Sequence, residues 1–129
     1  MTGPTTLFVY GTLMPGHLRW PMLAPHATAS RSTSVAGRLY DSGHGWPVAR
    51  LIDDGLGPDD VVPGWAVELR ADGLDALLRV LDEMEGVDRG LYDRVVVRLA
   101  DGADAWAYSM GTEVRTLPRI AAWEGRPEA

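Results

Sequence analysis

Residues 72–86 read DGLDALLRVLDEMEG and carry the clearest helical pattern in the chain. Leu74, Leu77, Leu78 and Leu81 fall at i, i+3, i+4 and i+7, the spacing that lines one side of an α-helix. Asp72 is placed to cap the first turn with its side-chain oxygen, and Asp75 suits the positive end of the helix dipole. Gly86 supplies the left-handed residue that often ends a helix. At about 100° per residue, Glu85 falls within roughly 30° of the centre of the leucine stripe. Glu83 points to the far side and Asp82 lies on the flank. One carboxylate of the cluster therefore faces whatever the leucines face. Ionising it there is costly without a partner, and burial raises its pKa. Two readings stay open at this point. Either the helix carries Glu85 inward, or it frays by Met84 and leaves Glu85 on a wet loop.

The chain has 129 residues, the usual size of one domain, and no shift of composition divides it. The expectation is a single domain over 1–129, with a core of about 7–110 and a C-terminal extension over 111–129. A net charge of −6 argues against nucleic acid or an anionic membrane surface as partner. There is no cysteine, which removes disulfides, thiol nucleophiles and thiolate metal sites. There is no lysine either, so a Schiff base or a P-loop lysine is excluded. With asparagine and glutamine also missing, oxyanion donors must come from backbone N–H groups, arginine or tyrosine. The N-terminal MTGPTTLFVYGTL has no basic region and too short an apolar run for a signal peptide, and nothing approaches membrane-spanning length. A soluble, cytoplasmic protein is expected.

Leu7-Phe8-Val9-Tyr10 is a short apolar, β-favouring run, read as a buried first strand that Gly11 breaks. Thr12 to Gly16 makes a tight loop, and Leu18 to Leu23 a turn of helix interrupted at Pro21. Ala29 to Tyr40 reads as one long or bent strand with Gly37 at the bend. Short strands are expected at Val48–Ile52 and at Val61–Leu69, the latter with a turn or bulge at Pro63-Gly64. Between them lies an acidic loop, Asp53 to Asp60. Leu91–Leu99 and Ala105–Met110 read as a hairpin around Asp101-Gly102. After Gly111 the pattern is weak, with Ile120 and Trp123 packing back. Five to six short strands and one main helix point to an α+β fold, a small mixed-sheet β-barrel with the helix packed against it.

Two places carry unusual chemistry: Glu85-Gly86 and Tyr10-Gly11-Thr12-Leu13. A glycine directly after a buried strand lets successive backbone N–H groups turn inward as an anion-binding concavity, although a plain strand-ending turn reads the same way. Thr12 has no histidine or lysine nearby to make it a nucleophile. His17, His26 and His44 lack metal-site spacing and read as surface or loop residues. Tyr108 belongs to an aromatic inward face and needs a hydroxyl partner if buried. Arg94 and Arg98 alternate with valines as the wet face of a strand. Trp20, Trp46, Trp65 and Trp123 could line a pocket, with core packing as the default reading.

Phe8-Val9-Tyr10-Gly11-Thr12-Leu13, then Gly37-Arg38-Leu39-Tyr40, then Leu81-Asp82-Glu83-Met84-Glu85-Gly86 followed by Tyr92 and Arg94, resembles the gamma-glutamylcyclotransferase-like family. The order and spacing fit from about Leu7 to Met110. The resemblance implies a small mixed α/β barrel with a cavity at one end. It implies that the loop at Tyr10, Gly11, Thr12 and Leu13 holds a glutamyl group through backbone atoms, with Tyr108 lining the pocket. It also implies that Glu85 is the acid/base. Thr12 stands where many relatives carry serine, and both keep the hydroxyl. The Asp53 to Asp60 loop and the segment after Gly111 have no clear counterpart.

In the reaction so implied, the substrate's own α-amine attacks its γ-glutamyl carbonyl, giving 5-oxoproline and a free amine. The nucleophile is tethered to the electrophile, so orientation and proton transfer are what remain to supply. One glutamate can serve as base and then acid, and no metal or organic cofactor is needed. The partner is a small-molecule γ-glutamyl substrate. The leaving amine, the oligomeric state and whether the loop amides meet the carboxylate or the oxyanion are not legible from the residues. A different class of protein, a non-catalytic barrel module that binds a small acidic ligand or a protein partner, stays open as the alternative. A carboxylate on the buried face speaks for the enzyme.

Overall fold

A computed structural model describes residues 3–51, 55–110 and 117–123. Asp53 and Asp54 of the acidic loop, and residues 111–116 and 124–129 of the C-terminal extension, lie outside the described residues. In chain order the elements are β1 (Thr6–Val9), α1 (Trp20–Leu23), β2 (Ala27–Ala36), β3 (Arg38–Asp41) and β4 (Pro47–Arg50). They continue with β5 (Val61–Leu69), α2 (Leu74–Glu85), β6 (Tyr92–Arg98), β7 (Asp104–Met110) and β8 (Arg119–Ile120).

The main sheet runs β2-β5-β1-β7-β6, and a smaller one runs β4-β3-β8. β1 lies in the middle, antiparallel to β5 and parallel to β7. That position explains its unbroken apolar run, because a central strand covered on both faces has no wet side to mark. Leu7 and Val9 pack with Leu74, Leu77, Leu78 and Leu81 of α2, while Phe8 and Tyr10 pack with Leu39, Ala49 and Leu51 of the small sheet. The main sheet is thus held between α2 and the small sheet. Trp123 and Ile120 pack back as expected.

The sheet curls but does not close into the expected barrel. Its two edges, β2 and β6, meet only at the Val35–Leu99 bridge, with Ala100 N–H donating to the Ser34 carbonyl at 3.0 Å. Further pairing along β6 would need the residues after Val35. These leave the sheet at Gly37 and enter β3 of the small sheet. A Cβ at Gly37 would meet the Arg50 carbonyl oxygen at 2.9 Å, so this crossing is a close approach that glycine permits.

Two local expectations change. β5 keeps an unbroken register with β2 through Pro63 and Gly64, and the irregularity falls instead at Ala27/Ala29. Proline is tolerated there because β1 pairs with β5 only from Trp65 to Glu68, leaving that side of Pro63 without a ladder. At Gly64 a side chain would collide with the Val9 carbonyl and the Phe8 ring. At the start of α2 the cap position is Gly73, at φ 80°, with no side-chain cap bond, so Asp72 does not cap the helix.

Candidate active site

The helix does not fray at Met84. α2 runs through Glu85, and the N–H of Gly86, at φ 71°, turns back to the carbonyls of Asp82 and Glu83. The leucine stripe holds one side of α2 on the core, and Glu85, one residue before that stop, is carried to the wall of a cavity of about 700 Å3. Another part of the wall is built from the end of β1. Past Tyr10 the chain turns through Gly11, whose missing side chain leaves room for Pro47. A Cβ there would meet the proline ring at 2.8 Å. The turn is fastened by its carbonyls: Met14 N–H donates to Gly11 at 3.0 Å and Arg19 N–H to Thr12 at 2.7 Å. Among the described residues, the N–H groups of Gly11, Thr12 and Leu13 are paired with no acceptor.

All six residues singled out in the sequence, Glu85 with Tyr10, Gly11, Thr12, Leu13 and Tyr108, line this one cavity. Glu85 is half-buried and, among the described residues, has no hydrogen bond or ion pair. Burial holds its carboxyl above the usual carboxylate range, and the positive charge of Arg19 partly offsets the shift. Tyr10, Tyr92 and Tyr108 are also pushed up, chiefly by burial, with Asp82 the next cause at Tyr108, Tyr92 at Tyr10 and Glu85 at Tyr92, so all three remain protonated donors.

Tyr108 has found the partner its burial requires. Its hydroxyl donates to Asp82 Oδ1 at 2.8 Å. Arg94 Nε donates to the same oxygen at 2.7 Å, and its guanidinium lies 4.3 Å from the centre of the Trp106 ring. Arg94 is therefore not the wet-face residue its alternation with valines predicts. The carboxylate one turn before Glu85 pulls it in.

Arg19 and Tyr92 line the cavity although the sequence does not assign them to the site, and Trp46 lines it where core packing is the default reading. Tyr92 stands in the quoted motif, but only its fold neighbours reveal a buried ring whose hydroxyl has no partner among the described residues. Arg19 comes to the site through the Thr12 turn, a contact without periodic signature. Trp46 is exposed and on the cavity, unlike Trp20, Trp65 and Trp123, which pack against the core. Of the histidines, His44 lines the cavity and the other two do not.

A small α+β scaffold in which a half-buried carboxylate, unpaired among the described residues, shares a cavity with a glycine turn has the layout of a small-molecule active site. The chain matches the family described as "Gamma-glutamyl cyclotransferase, AIG2-like" over residues 7–124, and it belongs to that family. It is a cyclotransferase-class enzyme. A relative, "Gamma-L-glutamyl-butirosin B gamma-glutamyl cyclotransferase" of Niallia circulans, is 29% identical over 126 residues, spanning 92% of this chain and 74% of that protein. Among solved structures, the AIG2-like protein of Mus musculus superposes with a TM-score of 0.71 at 20% identity, over 99% of this chain and 97% of that one. An uncharacterized protein of Pyrococcus horikoshii gives 0.65 at 22% identity, over 91% and 86%.

Proposed function

We propose that the protein converts a γ-glutamyl amine, amino acid or peptide to 5-oxoproline and the free amine, with Glu85 as the single acid/base. The observation that carries this reading is the unpaired, desolvated carboxylate of Glu85 sharing a cavity with the open amides of Gly11 to Leu13. Near neutral pH the substrate's α-amine is mostly protonated. Glu85 removes a proton, and the freed amine attacks the γ-glutamyl carbonyl carbon to form the ring C–N bond. As the tetrahedral centre collapses, Glu85 gives its proton to the leaving nitrogen, the original amide C–N bond breaks, and the second proton of the ring nitrogen passes to the departing amine. A carboxyl whose pKa is lifted toward the working pH suits both halves of the transfer.

The amides of the Gly11 turn, together with the hydroxyl of Tyr92, supply the donors for the substrate carboxylate or the developing oxyanion. Acyl and proton transfer alone need no redox cofactor. The substrate is a small molecule met in the cytoplasm, and no helix among the described residues is long and apolar enough to cross a membrane.

The test is formation of 5-oxoproline from simple γ-glutamyl amides. Wild type is expected to release it with one equivalent of amine, and Glu85→Gln, at unchanged fold, to lose at least about a hundredfold in rate. Release of glutamate in place of 5-oxoproline, or full activity in Glu85→Gln, would end this reading.

A further inference from the structure

The mouth of the cavity is built differently from its floor. Leu18, Trp46 and Leu91 line it and yet stay exposed, at 54%, 45% and 45%. Trp46 is not a loose surface aromatic. Its carbonyl accepts hydrogen bonds from the Ser42 hydroxyl at 2.6 Å and the Ser42 N–H at 3.3 Å. Gly43 N–H donates to Asp41 Oδ1 at 2.8 Å, and His44 N–H donates to the Ser42 hydroxyl at 3.1 Å. Gly43 and Gly45, at φ 81° and 97°, give this loop the left-handed turns it needs. The His44 ring stands against the indole, centroids 5.7 Å apart and tilted by 32°. An indole braced this way and left in water forgoes core packing, and large amphipathic rings held at a rim are characteristic of binding surfaces.

The charges sharpen the choice of ligand. Among the described residues that line the cavity, Glu85 is the sole carboxylate, and Arg19 stands near it with the opposite sign. Among the described residues that line the mouth, a cationic group would find no counter-charge. The volume, about 700 Å3, lies in the upper part of the range of small-molecule sites and well above what a glutamyl group fills.

We propose that Leu18, Trp46 and Leu91 form the subsite for the departing amine, and that it selects amines carrying a bulky apolar or aromatic group over small or cationic ones. This rests on the cyclotransferase reading: with the γ-glutamyl carbonyl beside Glu85 at the floor, the amine side of the scissile bond extends toward the rim. Stacking and apolar burial at Trp46 then add to binding of the conjugate and orient its amide.

Three matched conjugates test this: γ-glutamyl-2-phenylethylamide, γ-glutamyl-ethylamide and the cationic γ-glutamyl-2-aminoethylamide, compared by kcat/KM from 5-oxoproline release. The phenylethyl amide is expected to lead the ethylamide by about tenfold or more, the order set by taking part of an aromatic ring out of water. The aminoethyl amide should fall below both. Trp46→Ala is expected to bring the phenylethyl-to-ethyl ratio toward one, and Trp46→Phe to keep most of it. Equal rates for the three in wild type, a lead for the cationic amide, or an unchanged ratio in Trp46→Ala would overturn the proposal. Calorimetric affinities of Glu85→Gln for the same three compounds give a second readout that needs no turnover. Absence of 5-oxoproline from every conjugate counts against the cyclotransferase reading, whereas equal affinities for the phenylethyl and ethyl amides count against the subsite.

Discussion

The hydroxyl of Tyr10 donates a buried 2.6 Å hydrogen bond to the main-chain carbonyl of Tyr108, 98 positions away. The bond adds to a thin seam. β1 and β7 are paired in register at Leu7 and Trp106, and beyond that point Tyr10 holds the end of β1 to β7. Both residues line the cavity, so the bond also fixes the distance between two of its walls. Tyr10→Phe leaves a buried carbonyl without its donor, which costs about 1–3 kcal/mol. The melting temperature is expected to fall by roughly 3–10 °C, measured by calorimetry at constant pH. An unchanged melting temperature would show that water or a neighbouring donor replaces the phenol.

Asp82 joins three elements through one oxygen, Oδ1, which accepts from Tyr108 on β7 and from Arg94 on β6 while the residue itself sits on α2. The pair with Arg94 is about a quarter exposed on each side, so its Coulomb energy is partly screened and the shared hydrogen bonds matter more. Asp82→Asn keeps the size but weakens the acceptor and leaves the guanidinium unpaired. About 1–3 kcal/mol of stability is expected to be lost by denaturant unfolding. In a double-mutant cycle with Tyr108→Phe the two losses should fall short of additive by about 0.5 kcal/mol or more, because the residues share a partner.

Local periodicity made α2, β5 and the β6–β7 hairpin legible, with boundaries within a residue or two of those found. It also carried the placement of Glu85, since the angle between that residue and the leucines is fixed once the helix reaches it. What stayed hidden depends on distant pairing. The change of sheet at Gly37 looks like a bend in sequence. Only the registers of β3 with β4 and β8 make it a crossing between layers. Arg94 reads as solvated because alternation reports which face a side chain leaves by, not what reaches across to meet it. Arg19 and Trp46 come to the cavity through turns, and turns carry no period.

Glu85 links the site to pH. Its pKa in the folded protein lies above that of the unfolded chain, about 4.3, because burial disfavours the charge. The stability it contributes is therefore complete below the unfolded value and is lost as pH rises through the folded one. Glu85→Gln removes a group that is ionised at a cost in alkaline solution. The variant is expected to melt higher than wild type at pH 8, with the difference shrinking toward pH 4. On the proposed mechanism the same carboxyl is expected to set the acid limb of kcat/KM, since it must be ionised to accept the first proton. Arg19 lowers its pKa, so Arg19→Leu is expected to move that limb to higher pH. A limb that stays in place would detach Arg19 from the acid/base.

Gly11→Ala tests whether the turn positions its amides by contact. The backbone of Gly11 is not in the left-handed region, so alanine brings no torsional penalty. What it brings is a methyl group 2.8 Å from Cγ and 2.9 Å from Cδ of Pro47, too close for either atom to remain. Pro47 begins β4 and is buried, so the turn yields more readily than the strand. Overpacking of this size costs about 1–3 kcal/mol. The larger effect is expected on catalysis, because a displacement near 1 Å at a positioning group is enough for roughly a hundredfold in rate. Pairing Gly11→Ala with Pro47→Ala removes the ring that the methyl strikes, and recovery of kcat/KM in the double variant would trace the loss to that contact. A single variant with wild-type kcat/KM would show that the amides of this turn do not hold the substrate.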